Sequence, residues 1–158
     1  MPAAQSAPER DPAYKWGAAA LVAAAAIILS ALAFEHIGGY RPCPLCLQER
    51  YAYYAGIPLL FGALVLVSMG QRKLAAALFA LVAAGFLFNA GLGTYHAGVE
   101  WKLWAGPETC QFALEPLSVG PGGLLKQLEN VRVIRCDEAP WQFLGLSFAG
   151  WNAVLSLL

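Results

Sequence analysis

The sequence predicts an all-α membrane protein, built as an up-and-down bundle of four transmembrane helices. Of its 158 residues, 59% are hydrophobic and only 13% are charged, whereas an average soluble domain has roughly 25% charged residues. The chain also contains three long uncharged runs and a shorter fourth one. About 20 apolar residues cross a bilayer as a helix, and four such segments fit a helical bundle.

The predicted spans are free of Asp, Glu, Lys and Arg, and they lie at residues 16–34, 51–69, 74–95 and, for the shorter run, 143–158. A signal peptide is the alternative for the first run, because Arg10 and Lys15 precede it and "ALA" at 31–33 resembles a cleavage site. The apolar core of a signal peptide is usually about 7–15 residues long. The greater length of this run therefore favours an uncleaved anchor.

The segments outside the spans form a tail and two loops. Residues 1–13 are polar and contain proline, which predicts a disordered cytoplasmic tail, and 14–158 are predicted to be a single domain. The predicted periplasmic loops are 35–50 and 96–142. In the longer loop, the apolar spacing of "GGLLKQLENVRVIRC" predicts a short helix, either in the membrane interface or packed on the loop.

Charge and cysteine content predict which side each loop faces. Short cytoplasmic segments tend to carry Lys and Arg, and Arg72 and Lys73 lie in the tight link between the second and third spans. Three spans place all four cysteines on the opposite side. Because disulfides persist in oxidising compartments, these loops are predicted to face the periplasm at a bacterial inner membrane. The chain has no basic block that would suggest a nucleic-acid partner.

The stretch "YRPCPLCLQER", residues 40–50, places Cys43 and Cys46 at the edge of the second span. A disulfide across so short a loop adds little cross-linking entropy, since that term grows with loop length. The spacing therefore favours redox cycling. If the second helix begins near Cys46, its dipole favours a thiolate there. The alternative is a zinc ion bound by the cysteines. Cys110 and Cys136 do not form a second CxxC, however, and no metal is predicted.

Cys110 and Cys136 would, taken alone, indicate a structural disulfide, but beside a redox pair they also allow a relay of two pairs. The relay needs an electron acceptor, and the chain shows no haem, dinucleotide or iron–sulfur motif. A membrane quinone needs only an apolar pocket beside the donor thiol. Arg50 lies about one helical turn after Cys46 and stays charged, so it could stabilise a thiolate and a reduced quinone. Its alternative role is contact with lipid phosphate.

Two histidines flank the outer ends of predicted spans. His36 follows the first span and His96 follows the third. Either could donate a hydrogen bond to a quinone oxygen or simply be hydrated. Glu49 is predicted to be a solvated or paired charge.

Four segments together resemble the disulfide bond formation protein B family: "FEHIGGYRPCPLCLQER", "TYHAG", the wide cysteine pair and "CDEAPWQFLGLSFAGW". The likeness covers nearly the whole chain from about Trp16. It implies a four-helix inner-membrane protein that reoxidises a periplasmic thioredoxin-like disulfide oxidase of the DsbA type. It also implies that the electrons pass to ubiquinone or menaquinone.

The resemblance implies a role for each matching position. Cys110 would form the mixed disulfide with the partner, and Cys136 would then pair with Cys43. That exchange would free Cys46 as a thiolate beside the quinone, with Arg50 next to the same quinone.

Two departures and two alternatives accompany the resemblance. His96 lies one position from the family's histidine at the third span, and the final apolar run is short. One alternative is a vitamin K epoxide reductase-like protein, which also couples a CxxC pair to a quinone, although the wide pair following the CxxC argues against it. The other is a membrane module that binds a metal through cysteines.

Overall fold

The computed structural model describes residues 11–111 and 135–158. The short helix predicted near residues 124–131 lies outside them, as does most of the predicted tail. The helices are α1 (Pro12–His36), α2 (Pro44–Ser68), α3 (Arg72–Glu100), α4 (Glu108–Gln111) and α5 (Phe148–Ser156). An antiparallel hairpin precedes α5 and consists of β1 (Gln142–Phe143) and β2 (Leu146–Ser147). Helix α1 packs against α2, α2 against α3, and α3 against α5.

Within the described part of the chain, α1, α2 and α3 are long and apolar enough to cross a membrane. Their outward faces stay apolar, since Leu29, Phe61 and Leu81 are each more than half exposed. Large exposed apolar surfaces of this kind are typical of contact with a partner or a membrane. The three predicted long spans are thus confirmed as apolar helices of spanning length.

Helix α2 begins earlier than the uncharged run suggests. It starts at Pro44, close to the start near Cys46 considered from the sequence, so Cys46 and Arg50 lie in its first two turns. Proline fits the first turn because no intrahelical partner is needed there for a backbone N–H. Cys43 is the N-cap, and its sulfur accepts the backbone N–H of Cys46 at 3.1 Å.

Helices α1 and α3 both extend beyond their uncharged runs. At the start of α1, the Asp11 carboxylate caps the helix by accepting the N–H of Ala13 at 3.0 Å. The same carboxylate accepts a hydrogen bond from Arg72 at 2.8 Å, which joins the first turns of α1 and α3. Helix α3 continues to Glu100, so His96 is a helical residue and not the first residue of the loop predicted at 96–142.

The prediction of one continuous helix over 143–158 is wrong at its beginning. Leu144 and Gly145 have φ angles of 52° and 81° and form the two-residue turn of the hairpin. Two consecutive positive φ angles match the twist of short hairpin turns. The helix starts only after Ser147, whose side chain accepts the N–H of Gly150 at 3.2 Å. Helix α5 therefore has nine residues.

Helices α3 and α5 approach most closely at Gly93. A Cβ atom at this position would lie 3.0 Å from the carbonyl oxygen of Ala149 and 3.0 Å from the amide nitrogen of Ala153. Backbone atoms cannot move aside as a flexible side chain can. Glycine at position 93 is therefore what lets the two backbones pack at this distance.

We expect Gly93→Val to destabilise the protein by about 1–3 kcal/mol, the usual cost of overpacking a well-packed contact. The matched control is Gly91→Val in the same helix, because a Cβ at Gly91 meets no atom within 4 Å. Thermal unfolding of both variants in the same detergent tests the prediction. Equal losses of stability would show that helix propensity, and not the contact with α5, governs position 93.

Candidate functional site

The four cysteines lie at one end of the structure, where α2 begins and α3 ends. Cys43, Cys110 and Cys136 belong to one cluster of buried side chains, and the partly buried Cys46 packs against it. Cys110 and Cys136 form a disulfide. Cys43 and Cys46 are thiols whose sulfurs lie 2.6 Å apart. The structure thus places both pairs predicted from the sequence in one cluster.

The start of α2 favours a thiolate at Cys43. Its sulfur accepts the Cys46 amide N–H at the positive end of the helix dipole. Hydrogen bonding from the Cys46 side chain lowers the pKa of the Cys43 thiol, with the backbone hydrogen bond acting in the same direction against the effect of burial. The sequence predicted that the dipole would act at Cys46. The difference arises because the helix begins before Cys46, so Cys43 occupies the capping position.

His96 connects Cys43 to a buried carboxylate. Its side chain is only 2% exposed, and its Nε2 lies 3.5 Å from the Cys43 sulfur. Its other ring nitrogen, Nδ1, lies 2.7 Å from Glu49, where an N–H donates to the carboxylate. In the neutral imidazole, Nε2 is then an acceptor facing Cys43. The second Glu49 oxygen accepts the amide of Asn152 at 2.9 Å.

The polar chain continues from Asn152 into the helix packing. The side-chain carbonyl of Asn152 accepts the hydroxyl of Tyr53 at 2.8 Å and the amide of Asn89 at 3.2 Å. Asn89 also donates to the hydroxyl of Ser156 at 3.0 Å. Across the described residues, every buried side-chain nitrogen and oxygen has a hydrogen-bond partner, as is usual for native interiors. This network joins α2, α3 and α5.

Arg50 forms an ion pair with Glu35 in the last turn of α1. The two side chains are 12% and 25% exposed, respectively. A predominantly buried pair is protected from screening by water and salt. Arg50 therefore lies at the α1–α2 contact, where its ion pair with Glu35 fixes the position of its positive charge.

A cavity of about 520 Å³ lies between α1, α2 and α5. Cys46, Glu49 and Arg50 line one side of it. Aromatic rings line another part, and they come from Phe34, Tyr40, Trp141, Phe143, Phe148 and Trp151. The ring centroids of Trp141 and Phe148 are 4.8 Å apart in a stacked arrangement. Most of the remaining wall is aliphatic, so the cavity is apolar apart from a few polar groups, which include the Cys46 thiol, the carboxylates of Glu35 and Glu49, the guanidiniums of Arg41 and Arg50, and the amide of Asn152.

The two histidines named as candidate quinone ligands differ in their surroundings in the described structure. His36 is exposed in the last turn of α1, and neither it nor His96 is among the residues that line the 520 Å³ cavity. A larger cavity of about 860 Å³ is lined by residues of α1 up to Ile27, by Tyr53 and Leu60 of α2, by residues of α3 between Phe79 and Leu87, and by the last residues of the chain. Its lining contains no cysteine, so the smaller cavity is the one relevant to the thiols.

Sequence reasoning missed three partners in this site. Glu35 was visible only as a charge ending the first span, and Asn89 and Asn152 only as polar residues in apolar runs. A polar residue inside a spanning segment is itself a functional signal. What the sequence could not show is which residues face one another.

The protein-family model described as "Disulfide bond formation protein DsbB" matches residues 14–158. This chain belongs to the DsbB family. It is 29% identical over 155 residues to the disulfide bond formation protein B of Acidovorax sp. (strain JS42), covering 88% of this chain and 79% of that protein. It is 32% identical over 136 residues to the protein of the same name from Marinobacter nauticus, covering 82% and 77%. No solved structure matches the chain.

Membership in the DsbB family indicates a disulfide bond formation protein. With three helices of spanning length among the described residues, it also indicates a multi-pass membrane protein. The site of this DsbB-family chain therefore combines one disulfide, one dithiol and a cavity that the dithiol borders.

Proposed function

We propose that this protein is a membrane thiol:quinone oxidoreductase. It reoxidises a periplasmic thioredoxin-like disulfide oxidase of the DsbA type and passes the electrons through two cysteine pairs to ubiquinone or menaquinone. The observation that carries the proposal is that Cys46 lines the same apolar cavity as Arg50. Family membership supports the disulfide half of the reaction.

The cavity suits a quinone ring in size and in chemistry. Small-molecule sites usually measure about 300–1,000 Å³ and combine an apolar wall with a few placed polar groups, and this one measures about 520 Å³. Phe34, Trp141 and Phe148 offer flat apolar surfaces, and Arg50 offers N–H donors for an oxygen. A quinone, when bound, accepts two electrons and two protons.

Thiol–disulfide exchange accounts for the electron path to the CxxC pair. A partner thiolate attacks Cys110, and Cys136 leaves as a thiolate. Cys136 attacks Cys43 of the oxidised CxxC disulfide, which releases Cys46 as a thiolate beside the cavity. The second partner thiol then resolves the mixed disulfide, and the freed Cys110 attacks the Cys136–Cys43 bond.

These steps restore the Cys110–Cys136 disulfide and leave Cys43 and Cys46 reduced, so two electrons have moved from the partner to the CxxC pair. The described structure has the same combination of one wide disulfide and one CxxC dithiol. The CxxC sulfurs are neighbours in the structure, as reoxidation of this pair to a disulfide requires.

His96 and Glu49 supply a path for the proton that Cys43 must lose. The Nε2 atom of His96 lies 3.5 Å from the Cys43 sulfur, so it can accept the thiol proton. Glu49 orients the ring through Nδ1 and stabilises the imidazolium that forms, as the carboxylate does in hydrolase triads. Glu49 also lines the cavity, so the carboxylate that stabilises the imidazolium borders the proposed quinone site.

The proposal includes a placement in the membrane. The cysteine end of the structure faces the periplasm of a bacterial inner membrane, and α5, packed on α3, belongs to the fourth segment of an up-and-down bundle. The cysteine pairs support this orientation, because disulfides persist in oxidising compartments such as the periplasm. Arg72 and Lys73 at the opposite end support it as well.

Replacement of the resolving cysteine should trap the partner. In Cys136→Ser, Cys110 is a thiol, and its thiolate can attack the disulfide of the oxidised partner, releasing the partner's second cysteine as a thiolate. No resolving cysteine in this chain can then displace the partner from Cys110, so a mixed disulfide should accumulate. Non-reducing electrophoresis and mass spectrometry of a purified mixture with an oxidised thioredoxin-like oxidase would detect it. The control is the Cys110→Ser/Cys136→Ser variant, which lacks the attacking sulfur. The absence of a reductant-sensitive adduct in Cys136→Ser would remove Cys110 from its assigned role.

Replacement of Arg50 should impair quinone reduction more than thiol exchange. Loss of a preorganised donor at a site of developing charge typically costs about 100- to 1,000-fold in rate, so Arg50→Gln should slow steady-state quinone reduction by at least the lower figure. Arg50→Lys should lie between Arg50→Gln and the unaltered protein, because lysine keeps the charge but loses the planar fork. The rate of exchange with the reduced partner should stay largely unchanged.

Two controls separate this effect from damage to the ion pair. Arg72→Gln removes a cation at the opposite end and should retain full quinone reduction. Glu35→Gln/Arg50→Gln removes both charges of the buried pair, so it leaves no unpaired carboxylate yet should remain slow. Rapid quinone reduction by that double variant would show that Arg50 serves only to neutralise Glu35.

A further inference from the structure

We propose that the reduced CxxC pair and His96 together form a binding site for a thiophilic divalent metal ion of the zinc class. The ligand atoms of Cys43, Cys46 and His96 all lie within 4.8 Å of one another. Two thiolates and one imidazole are a ligand set that zinc takes in enzymes, with a fourth position left open. The set differs from the four-thiolate site considered from the sequence, which the Cys110–Cys136 disulfide precludes.

The spacing of these atoms is close to what a tetrahedral ion requires. Zinc bonds of about 2.3 Å to sulfur and about 2.0–2.1 Å to nitrogen place neighbouring ligand atoms about 3.5–3.8 Å apart. The Cys43 sulfur and the His96 Nε2 atom are 3.5 Å apart already. The two sulfurs, at 2.6 Å, would have to separate by about 1 Å. Cys46 is only partly buried and borders the cavity, so its side chain has space for that movement.

Glu49 and Asn152 hold the imidazole in the orientation that a metal ligand needs. Metal-binding histidines usually donate their other ring N–H to a carboxylate, which fixes the tautomer and makes the ring more basic. Here Glu49 accepts a hydrogen bond from the His96 Nδ1–H at 2.7 Å, and its second oxygen accepts one from the side-chain amide of Asn152 at 2.9 Å. Nε2 therefore points toward Cys43 before any ion arrives.

The charge balance suits a buried site. With both cysteines as thiolates, the two thiolates and a neutral imidazole form a neutral complex with a dication, and the adjacent Glu49 carboxylate is held by the amide of Asn152. A neutral complex avoids the large cost of burying an isolated ion. Cys43 and His96 are 4% and 2% exposed. Cys46 lines the cavity, so the open fourth position faces it and can hold a water molecule.

Binding at this site is necessarily linked to the redox state. Only the dithiol form offers two thiolates, and a Cys43–Cys46 disulfide or a Cys43–Cys136 disulfide removes that set of ligands. A bound ion would hold the pair reduced and block its reoxidation. This inhibition depends on the proposed function, whereas metal binding itself does not.

Cobalt is a suitable probe, because Co²⁺ bound to thiolates absorbs light in a range in which Zn²⁺ bound to thiolates does not. The Cys110→Ser/Cys136→Ser protein, reduced and in detergent, leaves Cys43 and Cys46 as the only thiols. We expect one Co²⁺ per chain, a thiolate-to-cobalt charge-transfer band of two-thiolate intensity, displacement by Zn²⁺, and loss of the band after the pair is oxidised. Absence of the band in the reduced protein would overturn the proposal.

The chain supplies a matched pair of histidine variants, since it contains only two histidines. His96→Gln should weaken Co²⁺ binding at least tenfold, and Glu49→Gln should weaken it by about 10–100-fold through loss of the orienting contact. His36→Gln should bind as tightly as the parent. Equal affinity in His96→Gln and His36→Gln would show binding by the cysteines alone and would contradict the site.

X-ray absorption of the reduced, zinc-loaded natural sequence provides a test that depends on no variant. The expected shell contains two sulfurs at about 2.3 Å together with nitrogen or oxygen at about 2.0–2.1 Å. A shell without sulfur would overturn the site. A shell with two sulfurs but unchanged quinone reduction in the presence of Zn²⁺ would retain the site and contradict the proposed function instead.

Discussion

The burial of one carboxylate, that of Glu49, is the constraint on which the arrangement of the helices depends. Glu49 is 6% exposed, and an unpaired buried charge costs several kcal/mol. Both of its oxygens are therefore engaged, one by His96 from α3 and the other by Asn152 from α5. Glu49 itself belongs to α2. Hydrogen bonds to both of its oxygens therefore require three helices to meet, each in a fixed rotation about its own axis. Gly93 allows two of those helices to come close enough.

The same constraint aligns the functional groups along α2. Cys46, Glu49, Arg50 and Tyr53 follow the spacing of three and four residues that places side chains on one helix face. All four line the 520 Å³ cavity. A helix that turns Glu49 toward His96 and Asn152 thereby also turns Cys46 and Arg50 toward the cavity. The donor thiol, the carboxylate and the cation are placed by a single helix orientation.

The coarse features could be predicted from the sequence because each has a local signal. Three uncharged runs of about 20 residues indicate three apolar helices, and the CxxC motif with its flanking segments indicates the DsbB family. The helix bounds could not be found in this way. Ending a span at its first charged residue excludes Glu49 and Arg50, yet both lie in α2, and both pair with partners distant in the sequence. The same reasoning left His96 outside the third helix.

The contacts missed at the site and the hairpin missed in the last apolar run have different origins. Which nitrogen of His96 faces Cys43, and whether Glu49 is buried, depend on contacts 53 and 47 residues apart in the chain. The run beginning at 143 carries no charge, but its Leu144–Gly145 turn interrupts the helix. A Gly in a short apolar segment is a known turn signal, so this error was avoidable, whereas the burial of Glu49 was not.

In the proposed reaction, the electrons of the Cys43–Cys46 dithiol leave through the cavity that Cys46 borders. An anaerobic single turnover tests it most directly: dithiol protein in lipid nanodiscs is mixed with one equivalent of a short-chain quinone, and quinone absorbance is followed while alkylation and mass spectrometry identify the remaining thiols. The account predicts that one quinone is reduced for each chain and that Cys43 and Cys46 become resistant to alkylation at the same rate. Failure of the dithiol protein to reduce the quinone, or reduction that leaves Cys43 and Cys46 open to alkylation, would contradict it.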